Sequence, residues 1–138
     1  MSQGLAISVR QPFAWAIVAG IKPIENRGAS VAGRFRKLIG QRIAIHAAFN
    51  MADAEYEAAV AFMRQLGVKP PHPDTLWYGG VVGSAEVVAV VTASRSPWFS
   101  GPAGIEFAKP IECEFFQCRG WPGVFNLGQS ARNPPARR

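Results

Sequence analysis

The sequence predicts an α+β domain, a mixed and mostly antiparallel β-barrel with two main helices packed on its outside. Three observations predict it. Residues 80–93 are the strongest strand signal: Val81, Val82, Val87, Val88, Val90, Val91 and Thr92 favour extended backbone. Apolar residues fall on both faces there, so this strand is expected to be central. Residues 12–19 form a helix that is apolar nearly all round (Phe13, Ala14, Trp15, Ala16, Ile17, Val18), which calls for burial. Shorter segments at 5–9 and 42–47 alternate apolar and polar positions with the period of two that marks strands.

At 138 residues the chain fits one domain, with 49% hydrophobic and 17% charged residues, a globular composition. No apolar run is long enough to span a membrane, and the first residues lack the basic and apolar regions of a signal peptide, so the expectation is a cytoplasmic protein with no membrane partner. Cys113 and Cys118 are the only cysteines; five apart in a strand, they point to opposite faces and read as two core thiols. With only His46 and His72 beside them, no metal-ligand spacing is present, and neither metal nor cofactor is expected.

The elements follow in order. After the strand at 5–9, Pro12 starts the first helix where no amide hydrogen is needed, and Gly20 is placed to end it in a left-handed conformation. Lys22, Glu25 and Arg27 follow within six residues, delivered from inside the fold. An ammonium, a carboxylate and a guanidinium there can satisfy one another as a surface ion-pair cluster, or offer a polar ligand an acceptor between two cationic donors. Residues 28–40 read as a Gly- and Arg-containing loop with few apolar anchors, mobile without ligand. In the strand at 42–47, Ile43, Ile45 and Ala47 face one way, and Arg42, Ala44 and His46 the other. Asn50 or Asp53 can cap the second main helix, which runs to about Leu66 and ends at Gly67.

Pro70, Pro71 and Pro73 then impose a loop ending at Trp77 and Tyr78, which either stack a base or pack the loop down. Glu86 is the anomaly of the Val-rich strand. It either pairs with Lys22, Arg27 or Arg119, or emerges at a rim and meets water. Residues 94–104 form a Pro- and Gly-bearing turn around Trp98 and Phe99. Residues 105–118 read as two strands around Pro110, residues 119–123 as a turn, and 124–127 as a closing strand. Residues 129–138 read as a flexible basic tail.

The net charge is +6, and its placement matters. Arg27, Arg34, Arg36, Lys37 and Arg42 lie together without an acid, whereas Asp53, Glu55 and Glu57 open the next helix, where the dipole favours them. A basic loop beside the charge cluster points to an anionic partner, RNA or a nucleotide. Arg132, Arg137 and Arg138 add charge in the tail.

Several segments occurring in one order carry a resemblance. The run 7–17 (ISVRQPFAWAI), Gly20-x-Lys22-x-x-Glu25-x-Arg27, Ile45-His46-Ala47, Val82-Gly83-x-x-Glu86-Val87, Trp98-Phe99-x-Gly101-Pro102-x-Gly104 and Cys118-Arg119-Gly120-x-x-Gly123-x-Phe125 resemble the activating signal cointegrator 1 homology (ASCH) domain of the PUA-like superfamily. The resemblance covers about residues 5–128 and implies an ASCH domain over 1–128 with a PUA-like barrel. It implies binding of RNA or nucleotides, and some relatives hydrolyse acetylated cytidine or cleave RNA. It also places His46 and Trp98 beside the cleft.

Two readings follow. In a binding module, Arg27 and loop arginines hold phosphate, Gln11 and Glu25 read a base edge, and Trp15 or Trp98 stacks, with His46, Glu86 and Arg119 as further ligand-binding candidates. In a small hydrolase of nucleoside amides or RNA, Lys22 and Glu25 are catalytic. Amidohydrolase relatives resemble Lys22-x-x-Thr-x-Arg27, and this chain has Glu25 where they have threonine, so the carboxylate must activate water instead. If Pro23 lies in a regular strand, Lys22 and Glu25 point to opposite faces, and both reach one ligand only where the chain bends. The oligomeric state is left open, with a monomer favoured.

Overall fold

A computed structural model of the chain describes residues 4–128. The predicted tail at 129–138, with Arg132, Arg137 and Arg138, lies outside the described residues. The elements run β1 (Leu5–Val9), α1 (Phe13–Val18), β2 (Ile24–Arg27), α2 (Ala29–Arg34) continuing into a 3-10 turn (Phe35–Leu38), β3 (Arg42–Ala47), α3 (Asp53–Gln65), a 3-10 turn (Pro73–Thr75), β4 (Gly80–Val91), β5 (Ala103–Gln117) and β6 (Val124–Asn126).

The strands form one sheet in the order β2-β5-β4-β3-β1-β6. Among the described residues only β1 and β3 run parallel and the other four pairings are antiparallel, so the sheet is mixed and mostly antiparallel as expected. The Val-rich strand is central, between β5 and β3. The barrel does not close: β2 and β6 are sheet edges, and the sheet is a curled half-barrel. The curl has a local cause. Pairing of β4 with β5 shifts register at three places, and a Cβ at Gly83 would stand 2.5 Å from the Ile111 carbonyl oxygen and 2.8 Å from Val18. Bulges bend a strand, and the bare glycine lets β5 and α1 close onto it.

One core packs against the sheet, with Ile7, Val9, Ile17, Phe35, Ile43, Ile45, Val87 and Ile105 among its buried members. A second, smaller cluster joins α1 to α3 through Ala16, Ile24, Met63 and Trp98.

Four expectations need correction. The segment read as a mobile loop is helical over 29–38, giving three helices rather than two, and Ala32, Phe35 and Leu38 anchor it in the main core. Helices this short lack enough turns for a periodic signal, so tertiary packing decides them. The two strands expected around Pro110 are one 15-residue strand; Lys109, at φ +50°, and Pro110 fall where the ladder skips, so no lost hydrogen bond penalises the proline. Cys118 is a buried thiol but Cys113 is exposed. Neither Asn50 nor Asp53 caps α3: Ala52 holds that position without a side-chain bond, and Asp53 and Glu55 occupy the first turn. The Gly20 expectation agrees with the structure, at φ +79° just beyond α1.

Candidate functional site

The end of α1 sets the site. The amides of Ile21 and Lys22 both return to the Ala16 carbonyl, at 2.9 and 3.0 Å, hooking the chain back under the helix. Lys22 and Pro23 precede the regular part of β2 and the chain bends at Ile21, so the strand alternation that would part Lys22 from Glu25 does not extend back to Lys22, and the two meet. The Lys22 side chain is only 3% exposed. Its Nζ lies 3.3 Å from Glu25 Oε1, donates to the Ile24 carbonyl, and stands 5.0 Å from the Phe13 ring centre and 5.6 Å from that of Trp98. Burial lowers the Lys22 pKa, Glu25 opposes that by favouring the ammonium, and Arg27 adds to the lowering.

Arg27 completes the chain of charges. Its Nη2 and Nε donate to Glu25 Oε2 at 2.9 and 3.2 Å, and Nη2 also donates to the Ser8 carbonyl at 2.7 Å. Both Glu25 oxygens are therefore held by cations, one from behind and one from the side.

These groups open on a cleft of about 900 Å³ between the β1–α1 junction, β2, the end of β3 and residues 118–122. Glu25, Arg27, Gln11, His46 and Arg119 line it. Gln11 is a strut whose Nε2 donates to the Trp77 carbonyl while its Oε1 accepts from the Trp15 amide, at 3.0 and 2.9 Å. Arg119 lies over the Trp121 ring at 4.3 Å, a cationic and aromatic platform. The Trp121 indole Nε1 is buried without a hydrogen-bond partner among the described residues. Arg10 pairs with Glu55 of α3 across the mouth.

His46 is 1% exposed and held at both nitrogens. Nε2 lies 2.8 Å from the Cys118 carbonyl oxygen and Nδ1 2.9 Å from Ser8 Oγ. Because a carbonyl only accepts, Nε2 carries the hydrogen in the neutral ring and the Ser8 hydroxyl donates to Nδ1. Burial pushes the His46 pKa below 6.5, and the bond to Cys118 partly opposes this. The unfolded chain therefore binds a proton near pH 6.5 that the fold does not. Below that value the unfolded state holds more protons, so acidification destabilises the fold, while above it this contribution is constant. Urea midpoints taken across this window should fall toward acid, and His46→Gln should flatten the slope; an unchanged slope would assign the acid sensitivity elsewhere.

The structure does not unite every candidate. Lys22 stands behind Glu25 and does not line the cleft. Trp98 packs in the second core, edge-on to Phe62 at 5.6 Å, so it cannot stack a ligand in the cleft. Trp15 lines a separate cavity of about 240 Å³. Glu86 pairs with Lys109 at 3.6 Å, not with Lys22, Arg27 or Arg119. Trp77 stacks on Phe115 with ring centres 4.7 Å apart. The basic run also divides: Arg36 donates to the Val90 carbonyl and Arg42 to Ser84 and the Lys109 carbonyl, on strands away from the cleft. Ser8 is the residue that sequence reasoning missed. The available signal was its place between buried Ile7 and Val9 on the polar phase of β1, but its pairing with His46 depends on the parallel β1/β3 register.

Among the described residues, no group of three or more His, Cys, Asp or Glu can hold a metal ion, and no helix is long and apolar enough to cross a membrane.

A curled mixed sheet with three helices, one of which delivers a charged triplet beside a cleft, is an α+β fold. Among solved structures, a mutant of the ASCH protein from Zymomonas mobilis is similar at 16% identity and TM-score 0.50, covering 89% of this chain and 87% of that one. The structure titled simply as ASCH from the same organism is similar at 16% identity and TM-score 0.49, over 93% and 90%. The fold is thus the ASCH fold. No family model matches the sequence, and no curated protein does.

Proposed function

We propose that the chain is an ASCH domain whose cleft binds single-stranded RNA or a nucleotide. The observation that carries this reading is the immobilised Lys22–Glu25–Arg27 chain opening on a cleft of about 900 Å³. Pre-paired charges lose little freedom when a ligand arrives, so they read polar edges at low cost. Glu25 presents an acceptor to a base amino group. Arg27 keeps Nη1 unbonded among the described residues and offers it to phosphate or carbonyl oxygen. The Arg119–Trp121 platform, rather than Trp15 or Trp98, takes the stacking role.

Hydrolysis of a nucleoside amide led by Lys22 has less support, because Nζ reaches a ligand only through Glu25. A cytoplasmic setting and a monomeric state remain parts of the proposal.

Fluorescence anisotropy with a labelled single-stranded RNA tests it. Affinity should fall steeply as salt rises, and the exposed Arg119→Ala should weaken binding by roughly tenfold, since base stacking contributes on the order of 1–3 kcal/mol. Absent or salt-insensitive binding, or full affinity in Arg119→Ala, would overturn the reading.

A further inference from the structure

We propose that Ser8 is a nucleophile, with His46 as its general base, in acyl transfer from a carboxylic ester bound in the cleft. The pair has the geometry that such a step needs. Ser8 Oγ donates to His46 Nδ1 at 2.9 Å, and the Nε2 hydrogen is committed to the Cys118 carbonyl at 2.8 Å, which fixes both tautomer and ring orientation. Phe125 meets the imidazole edge-on, with ring centres 5.6 Å apart and planes at 85°, and packs against the ring in this orientation. Ser8 itself is half-buried and lines the cleft.

Gly120 supports the same reading from the opposite wall. A Cβ there would stand 2.6 Å from His46 Cε1 and 2.9 Å from Ser8 Oγ. The chain passes close over the pair at the one residue type without a side chain, and Ser8 still lines the cleft. Donors for a developing oxyanion border the same space. Arg27, tied to the Ser8 carbonyl at 2.7 Å, has its Nη1 hydrogens to give, and among the described residues the buried Trp121 indole N–H has no partner.

The reaction balances without a co-reactant other than water. Ser8 Oγ bonds to the ester carbonyl carbon as its proton passes to His46 Nδ1. The tetrahedral adduct collapses, the bond to the alcohol oxygen breaks, and the leaving alkoxide takes that proton. Water then attacks the acyl-serine, its proton passing to Nδ1 and on to Ser8 Oγ as the carboxylic acid departs. A carbonyl behind the histidine supports the imidazolium less than a carboxylate would, so an ester, with its better leaving group, is the matched substrate rather than an amide.

The inference does not depend on RNA binding, and its test uses none. The full chain is incubated with an alkyl fluorophosphonate, whose phosphorus the serine oxygen attacks with loss of fluoride, and the adduct is located by peptide mass spectrometry. The expected result is a single adduct on Ser8, absent in Ser8→Ala, kept in Ser94→Ala, and formed about 100-fold more slowly in His46→Gln, the scale of a lost general base. Mapping the unmodified sequence needs no variant, so a folding defect in His46→Gln cannot mask the answer. No adduct on Ser8, or one formed equally fast in a folded His46→Gln, would overturn the proposal and leave the pair as a cross-strand hydrogen bond.

Discussion

Glu25→Gln is expected to destabilise the fold by roughly 3–5 kcal/mol, the cost of leaving a buried charge without its partner. The substitution keeps shape and volume but removes the anion between Lys22 and Arg27. Lys22, with 3% of its side chain exposed, then faces the Phe13 and Trp98 rings and one carbonyl with no countercharge. The reverse change is asymmetric. Lys22→Met places an apolar side chain of similar length among aromatic rings, while Glu25 keeps both bonds from Arg27, so a loss below about 1.5 kcal/mol is expected. The double variant should then be more stable than Glu25→Gln alone. Urea unfolding of the four proteins gives the coupling directly. If Glu25→Gln unfolds within about 1 kcal/mol of the parent, the triplet is no more than a solvated ion-pair cluster.

Phe35→Ala should cost a further and separate 3–5 kcal/mol or so, the range for removing a fully buried aromatic ring. Phe35 is the largest side chain with essentially no exposure and belongs to the main core with Ile7, Ile43 and Val87. Its neighbour Ile39 is 48% exposed, and Ile39→Ala should be close to neutral. Chemical denaturation of the two variants distinguishes a docked segment from a loose one. Near-equal small effects would mean that residues 29–38 are not held by the core, contrary to their packing.

Much of this architecture was legible locally. Eight of the valine-strand positions alternate or run apolar in a way that only a central strand satisfies, and β4 takes that place. The greasy 12–19 segment and Gly20 predicted both a buried helix and its end, because a left-handed residue after an apolar run is a short-range steric requirement. The mixed charges at 22–27 were visible for the same reason: three ionisable groups at the end of a buried element must be satisfied there. Residues 28–40 were not legible, since two single-turn helices carry no period and only the core contacts of Ala32, Phe35 and Leu38 reveal them. Trp98 and Glu86 were misplaced because an aromatic or a carboxylate shows its type in sequence but not its side of the sheet.

The amino-acid order alone therefore determined that β1, β3 and the valine strand are extended, that 12–19 is helical and where it stops, and that Lys22, Glu25 and Arg27 stand within six residues of one another, all consequences of interactions within a few residues. Tertiary structure decided which of them face the cleft. The turn of the chain between α1 and β2 put Lys22 behind Glu25, and the parallel register of β1 on β3 put Ser8 against His46 from 38 positions away. Strand pairing is set by burial summed over the whole sheet, and no local pattern encodes the partner of a polar residue on its edge-facing phase.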